Sequence, residues 1–342
     1  MIANPRARFN GPAYNRNMAA RASQPLQLEI LDLRHFQARD LVPLLEEEAR
    51  IWADDLRWDF QASSEIVRRY IDMRALSGYA LLDGRLPVGY CYYVHEDHKI
   101  LIGDLFVSQP YRSAETQLRL LRHTVETAQH TPGVRRIEAQ LMMLDAAAVE
   151  RLYPPSQLLV FERNFMLVDG IAGVRREWFG PPAPPGWIFE RWTEQSLEAA
   201  AELIAHAYET HVDSRINDQY RSIAGARRFL HNIIQYPGCG AFHPPAAMMA
   251  LDPATRRLRG LSLTSLVAPR VGHITQICVA PQQRGLGIGS ELLWRSLQAF
   301  TGRGCQAVSL TVTGSNFGAV RLYERVGFRT IRRFRAYVWE GF

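Results

Sequence analysis

The stretch Val279-Ala280-Pro281-Gln282-Gln283-Arg284-Gly285-Leu286-Gly287-Ile288-Gly289-Ser290 decides how the chain is read. Before it, residues 274–279 form an apolar run that reads as a strand. After it, Leu293, Leu297 and Phe300 recur at helical spacing. A strand therefore turns through a glycine-rich loop into the first turn of a helix. The first N–H groups of a helix have no intrahelical partner, and the helix dipole adds partial positive charge there. Such a place suits a phosphate or pyrophosphate. Glycines at 285, 287 and 289 would let the chain approach a ligand with no side chain in the way.

A glycine-rich loop alone also fits a dinucleotide fold, a P-loop or a plain tight turn. No Gly-Lys-Ser/Thr follows, which excludes the P-loop. Too little βα sequence remains downstream for a doubly wound sheet. The pattern Arg-x-x-Gly-x-Gly, from Arg284 to Gly289, resembles the acetyl-CoA pyrophosphate loop of the GNAT superfamily of N-acetyltransferases. A second stretch strengthens the likeness: Asn316-Phe317-Gly318-Ala319-Val320-Arg321-Leu322-Tyr323-Glu324-Arg325-Val326-Gly327-Phe328 is similar to that family's Asn-x-x-Ala-x-x-Leu-Tyr-x-x-x-Gly-Phe segment. The two motifs come in the family's order, one helix and one strand apart.

The resemblance implies an acetyl-CoA-dependent transfer of acetyl to a primary amine of a small molecule or peptide, by direct attack in a ternary complex. It implies that backbone groups of Ile277, Cys278 and Val279 hold the pantetheine arm and polarise the thioester. Backbone N–H groups of Arg284, Gly285, Leu286, Gly287, Ile288, Gly289 and Ser290 would take the pyrophosphate. Asn316 would cap its helix, bond the pantetheine, or both. Tyr323 is the expected proton donor to the leaving thiolate, since a phenol with pKa near 10 is protonated at neutral pH. The general base is less evident. Many relatives carry a Glu on the strand before the loop, and here that strand holds Gln276 and His273. His273 is one candidate base. Glu209, His211 and Asp213 lie where the family places its acceptor-binding loop, and Asp218 is in the same stretch. The competing functional readings are a non-catalytic acyl-CoA-binding or interaction module, another acyl group, or a hydroxyl acceptor.

Around this centre, 342 residues suggest two domains, and no apolar run approaches a membrane span. Cys91, Cys239, Cys278 and Cys305 form neither a CxxC pair nor a zinc spacing, so no metal is expected and a reducing cytoplasm is the simplest setting. Cys278 reads as a buried strand thiol. The net charge is +6, but Arg6, Arg8, Arg16 and Arg21 place +4 in an acid-free tail, leaving +2 for the rest. Such a body offers no surface for tracking nucleic acid. Residues 1–26 are expected to be a disordered basic tail. Either a monomer or a homodimer fits.

The chain also repeats itself. Asp104 to Arg112 lies against Gln276 to Arg284 at an offset of 172, and Gly89 falls opposite Gly260 at 171. Phe161-Glu162-Arg163-Asn164-Phe165 resembles the end of the second motif. Opposite Gly285, Gly287 and Gly289 stand Ser113, Glu115 and Gln117, which would repel or obstruct a pyrophosphate. The expected fold class is therefore α/β (α+β): two tandem GNAT-like units, each a mixed, mostly antiparallel twisted sheet flanked by helices. Residues 27–180 would be a degenerate unit that has lost acetyl-CoA, 181–186 a stiff Pro-rich linker, and 187–342 the catalytic unit. In the second unit, Ser196 is the expected cap of the first helix.

Overall fold

The structure, a computed structural model, describes residues 28–342 except 146–148, 151 and 237. The expected basic tail lies outside the described residues. In the first half, strands β1 (Leu28–Asp32), β2 (Ser77–Asp83), β3 (Leu86–Glu96), β4 (Lys99–Val107), β5 (Arg136–Leu141) and β6 (Leu158–Asp169) accompany helices α1 (Ala38–Leu56), α2 (Gln61–Asp72) and α3 (Ala114–Gln129). The second half carries β7 (Ile188–Arg191), α4 (Leu197–Tyr208), a single turn α5 (Asp213–Ile216), α6 (Ile223–Gln235), β8 (Ala241–Phe242), β9 (Met248–Leu251), β10 (Leu258–Ala268), β11 (Val271–Val279), α7 (Ile288–Gly302), β12 (Ala307–Thr313), α8 (Phe317–Val326) and β13 (Arg329–Glu340). Ser196 forms no capping bond; its hydroxyl meets Thr193 Oγ1 at 3.0 Å in a preceding 3-10 turn.

One mixed, mostly antiparallel sheet runs through both halves, in the order β1-β2-β3-β4-β5-β13-β6-β12-β11-β10-β9-β7, with β8 pairing β10. The order reads as a repeat about its own middle. Pairings repeat too: β4 meets β5 in parallel only from Lys99 to Ile102, and β11 meets β12 only from Val271 to Ile274. Each half has a bulge at the same place, leaving Gly103 and Thr275 as the extra residues, 172 positions apart. The sheet register thus carries the same offset as the sequence.

The halves exchange their last strands. Strand β13 pairs with β5 of the first half, and β6 pairs with β12 of the second. Burial follows the exchange. Tyr337 and Trp339 of β13 are fully buried in the first half's core with Leu120, Leu121 and Ile137. Met166 and Val168 of β6 pack in the second half's core with Leu297, Phe300 and Val308. Arg163 pairs with Thr313, and Arg335 with Leu141, so these arginines hold equivalent positions. This corrects the expectation for residues 161–165. They lie within a strand and match 333–337, not the helix end at Tyr323 to Phe328. The recurring signal that would have aligned the halves there is Arg151-Leu152-Tyr153 against Arg321-Leu322-Tyr323.

Candidate active site

Beyond Ile274 and Leu310 strands β11 and β12 part, and a cavity of about 300 Å³ opens between them. One wall is the 274–279 segment of β11; across from it stand Leu310 to Val312, Asn316 and Tyr323. The glycine-rich loop follows directly on β11. Gly285 and Gly287 take φ of +80° and +76°, the left-handed region where a side chain is strained. Helix α7 opens at Gly287 with no side-chain cap, so its first N–H groups keep their donors free of the protein's own side chains. In the first half the same point is closed: Ser113 Oγ accepts the Thr116 N–H at 3.1 Å. Gln117, buried, donates from Nε2 to Met143 O at 3.1 Å, and its Oε1 accepts the Asp145 N–H at 3.0 Å. The Tyr92 ring packs where a Cβ on Gly103 would fall.

One glycine has a different reason from the one expected. A Cβ on Gly287 would lie 2.8 Å from the Pro181 carbonyl oxygen, so that glycine is required by the linker behind the loop. Gly289 has only Val279 within 4 Å, at 3.5 Å. Arg284 is turned back onto the protein. Its Nη2 donates to Ala207 O at 2.6 Å and its Nε to Val279 O at 3.4 Å, tying the loop to the end of α4. Leu286 is exposed and Ile288 buried.

Tyr323 is buried at the cavity wall, and burial raises its phenol above the ordinary value, with Asp213 adding to the shift. Asn316 caps α8, its Oδ1 accepting the Ala319 N–H at 3.3 Å. Its Nδ2 lies 3.2 Å from His211 Nε2, and His211 Nδ1 lies 3.2 Å from the Asp213 N–H. A neutral imidazole accepts at one nitrogen only, so His211 takes one of these donors at a time. Burial lowers the His211 pKa; Asp213 works against that shift, while Arg284 and Arg163 reinforce it. His211 and Asp213 thus join Asn316 and Tyr323 around one cavity.

Tyr208, Tyr220, Gln140 and Arg163 are among the wall residues that the sequence does not mark as site residues. The Tyr208 ring packs tilted against Tyr220 with centroids 4.7 Å apart, and its hydroxyl donates to Ile277 O at 3.4 Å. The Tyr220 hydroxyl donates to Gln276 Oε1 at 3.3 Å, leaving Gln276 Nε2 buried without a partner. Tyr208 ends an apolar helix face, which signals packing alone.

Three candidates fall elsewhere. Glu209 is exposed past the end of α4, outside the cavity wall. Asp218 turns away to accept from Lys99 Nζ at 2.5 Å. His273 points to the far face of the sheet, its ring 5.0 Å from Trp58 and 6.1 Å from Phe165, with Nδ1 2.9 Å from Ser309 Oγ. Burial depresses its pKa to about 3. It is a core histidine, because alternation along β11 puts residue 273 on the packed side at that point. A measurable consequence follows. Between about pH 6.5 and pH 3 the unfolded chain protonates this ring and the native one does not, so stability falls as pH falls, by about 1.4 kcal/mol per pH unit for this group. Urea titrations of His273→Phe over that window should show a shallower loss than the wild type; equal slopes would refute the assignment. Cys278 is buried too, and burial pushes its thiol up to about 12.

No group of three or more His, Cys, Asp or Glu among the described residues could hold a metal ion. No helix among them is long and apolar enough to cross a membrane.

Residues 195–328 match the acetyltransferase (GNAT) family. The whole architecture is similar to a GCN5-related N-acetyltransferase from Sphaerobacter thermophilus, with TM-score 0.64 at 18% identity, covering 93% of this chain and 97% of that one. It also resembles a tandem GNAT protein from the clavulanic acid biosynthesis pathway, with TM-score 0.57 at 15% identity over 92% and 98% of the two chains. At these identities the likeness is one of fold. In sequence, an N-alpha-acetyltransferase of Arabidopsis thaliana is 40% identical over 70 residues, 20% of this chain and 37% of the relative. A mycothiol acetyltransferase of Mycobacteroides abscessus is 34% identical over 98 residues, 28% and 33% of the two. The match thus spans roughly a third of the length of these curated relatives.

Proposed function

We propose that the C-terminal half acetylates a primary amine of a small molecule or peptide with acetyl-CoA, and that the N-terminal half binds no cofactor. The observation that carries this reading is one cavity that joins the opened β11–β12 gap to the phenol of Tyr323 and the imidazole of His211. The uncapped start of α7 suits the cofactor's pyrophosphate, through the N–H groups of Gly285 to Ser290. Bound acetyl-CoA would supply the thioester, whose sulfur departs as a thiolate. His211, with its pKa lowered, is free at neutral pH to accept the proton that the amine loses. Asp213 then faces the resulting imidazolium and stabilises it. Tyr323 holds its phenolic proton well past neutrality and delivers it at the departing sulfur. The names of the relatives, one of them an N-alpha-acetyltransferase, support an amine acceptor.

Calorimetric titration with acetyl-CoA tests the cofactor assignment. One site per chain is expected, abolished in Gly289→Glu, a position with room for a side chain but next to the free N–H groups. Binding by the variant, or two sites in the wild type, would overturn the assignment. Release of free thiol with mixed amines then tests catalysis.

A further inference from the structure

Part of the acceptor side of the cavity belongs to the other half. Arg163 arrives there on the exchanged strand β6. Its Nη1 donates to Asp213 Oδ1 at 3.1 Å and to Thr313 Oγ1 at 2.6 Å, and the Thr313 hydroxyl donates to the same carboxylate. Its Nε is buried without a partner. Asp213 therefore owes its orientation to residues of both halves.

The segment after Asp213 is gripped from the same side. Arg136 Nη2 donates to Arg215 O at 2.7 Å. Lys99 Nζ bonds Asp218 Oδ1 at 2.5 Å and Glu138 Oε2 at 3.0 Å, and Glu138 Oε1 accepts the Asp218 N–H at 3.0 Å. Gln219 Nε2 donates to Glu96 Oε2 at 3.0 Å. Lys99, Arg136 and Glu138 are all buried, and with Glu96 they belong to the first half. The repeat supplies a comparison. Arg335, the counterpart of Arg163 on the other exchanged strand, forms an ion pair with Glu150 of the first half. Each half thus sends an arginine across, and Arg163 is the one that lines the β11–β12 cavity.

We infer that Arg163 is a positioning residue of the acceptor site, supplied by the N-terminal half, and that it fixes Asp213 and the 213–221 segment for the incoming amine. This rests on the acetyltransferase reading. The test compares the wild type with Arg163→Met, Arg163→Lys and the charge-neutral pair Arg163→Met/Asp213→Asn. The last keeps the inference testable if the half-buried Asp213 carboxylate, left without its arginine, unfolds the first. Acceptors are a free-amine alanine tripeptide, glucosamine and putrescine. Arg163→Met should raise KM for the best amine about tenfold with kcat within about threefold, and Arg163→Lys should recover part of that loss. The acetyl-CoA Kd should stay within about twofold. Hydrogen exchange of the 209–222 backbone, measured with no acceptor, should quicken about tenfold in the methionine variant, or in the pair. An unchanged KM, a fall confined to kcat, or unchanged exchange in a folded variant would overturn the inference. If the wild type acetylates no amine, the acetyltransferase reading fails, and the exchange measurement still decides whether Arg163 holds the segment.

Discussion

Tyr323→Phe is expected to lower kcat by about a hundredfold or more, the loss that follows removal of a positioned general acid. The change takes away one oxygen at the cavity wall and leaves the ring packed beside Phe328, 5.8 Å between centroids. The acetyl-CoA Kd should therefore stay close to that of the wild type. The sign of the pH effect is set by burial. It raises the phenol above its ordinary value near 10, so the functional, protonated form persists through the whole range in which an amine is normally assayed. Wild-type kcat should then show no falling limb from this residue below about pH 10. Steady-state rates across pH, with calorimetry on both proteins, check this. Full activity in the phenylalanine variant would remove Tyr323 from the chemistry.

The second large effect concerns the linker. Cutting the chain between residues 181 and 186 with an engineered protease site should leave the halves bound as one particle, and residues 187–342 expressed alone should fail to fold. Strand β6 covers β12 along seven residue pairs, from Ala307 to Thr313. Without it β12 is a bare edge, and β13 has no neighbour on either side. Phe165, Met166, Tyr337 and Trp339 are fully buried on the exchanged strands. At about 1.5–3 kcal/mol each, exposing them removes on the order of 10 kcal/mol. That is comparable to the whole stability of an ordinary domain. Size-exclusion chromatography of the cut protein, with and without denaturant, gives the answer. Free separation in buffer would contradict the exchanged arrangement.

These two expectations differ in how far the sequence could carry them. Tyr323 was legible because its signals are local: a capping Asn316, a helical period and Gly327 at the helix end sit within a dozen residues. The β11 strand, the loop and α7 were legible for the same reason. The exchange was not, because β6 and β13 are both long strands of mixed character, and nothing within either says which neighbour it pairs with. Arg163 was invisible as a site residue for a related reason. It lies 150 positions from Thr313 and 50 from Asp213, and only the exchange brings the three together. His273 misled because a strand histidine near a loop looks like chemistry; which face it takes depends on Trp58, far away in the first half. Gly287 is expected from sequence to clear room for a ligand, whereas the Pro181 carbonyl that its Cβ would meet sits on a linker whose course no local pattern reveals.

The palindromic strand order has one more consequence. Two separate copies trading a strand would assemble only as fast and as fully as their concentration allowed. Joined in one chain, the trade becomes intramolecular, and its success no longer depends on how much protein is present. It also frees the two traded strands from having to be the same. A substitution in β6 leaves the sequence of β13 unchanged, so Arg163, which meets Asp213, and Arg335, which meets Glu150, are able to diverge. The covalent link thereby lets a symmetric assembly become an asymmetric one, in which each half is completed by a strand of the other and the two strands need not stay alike.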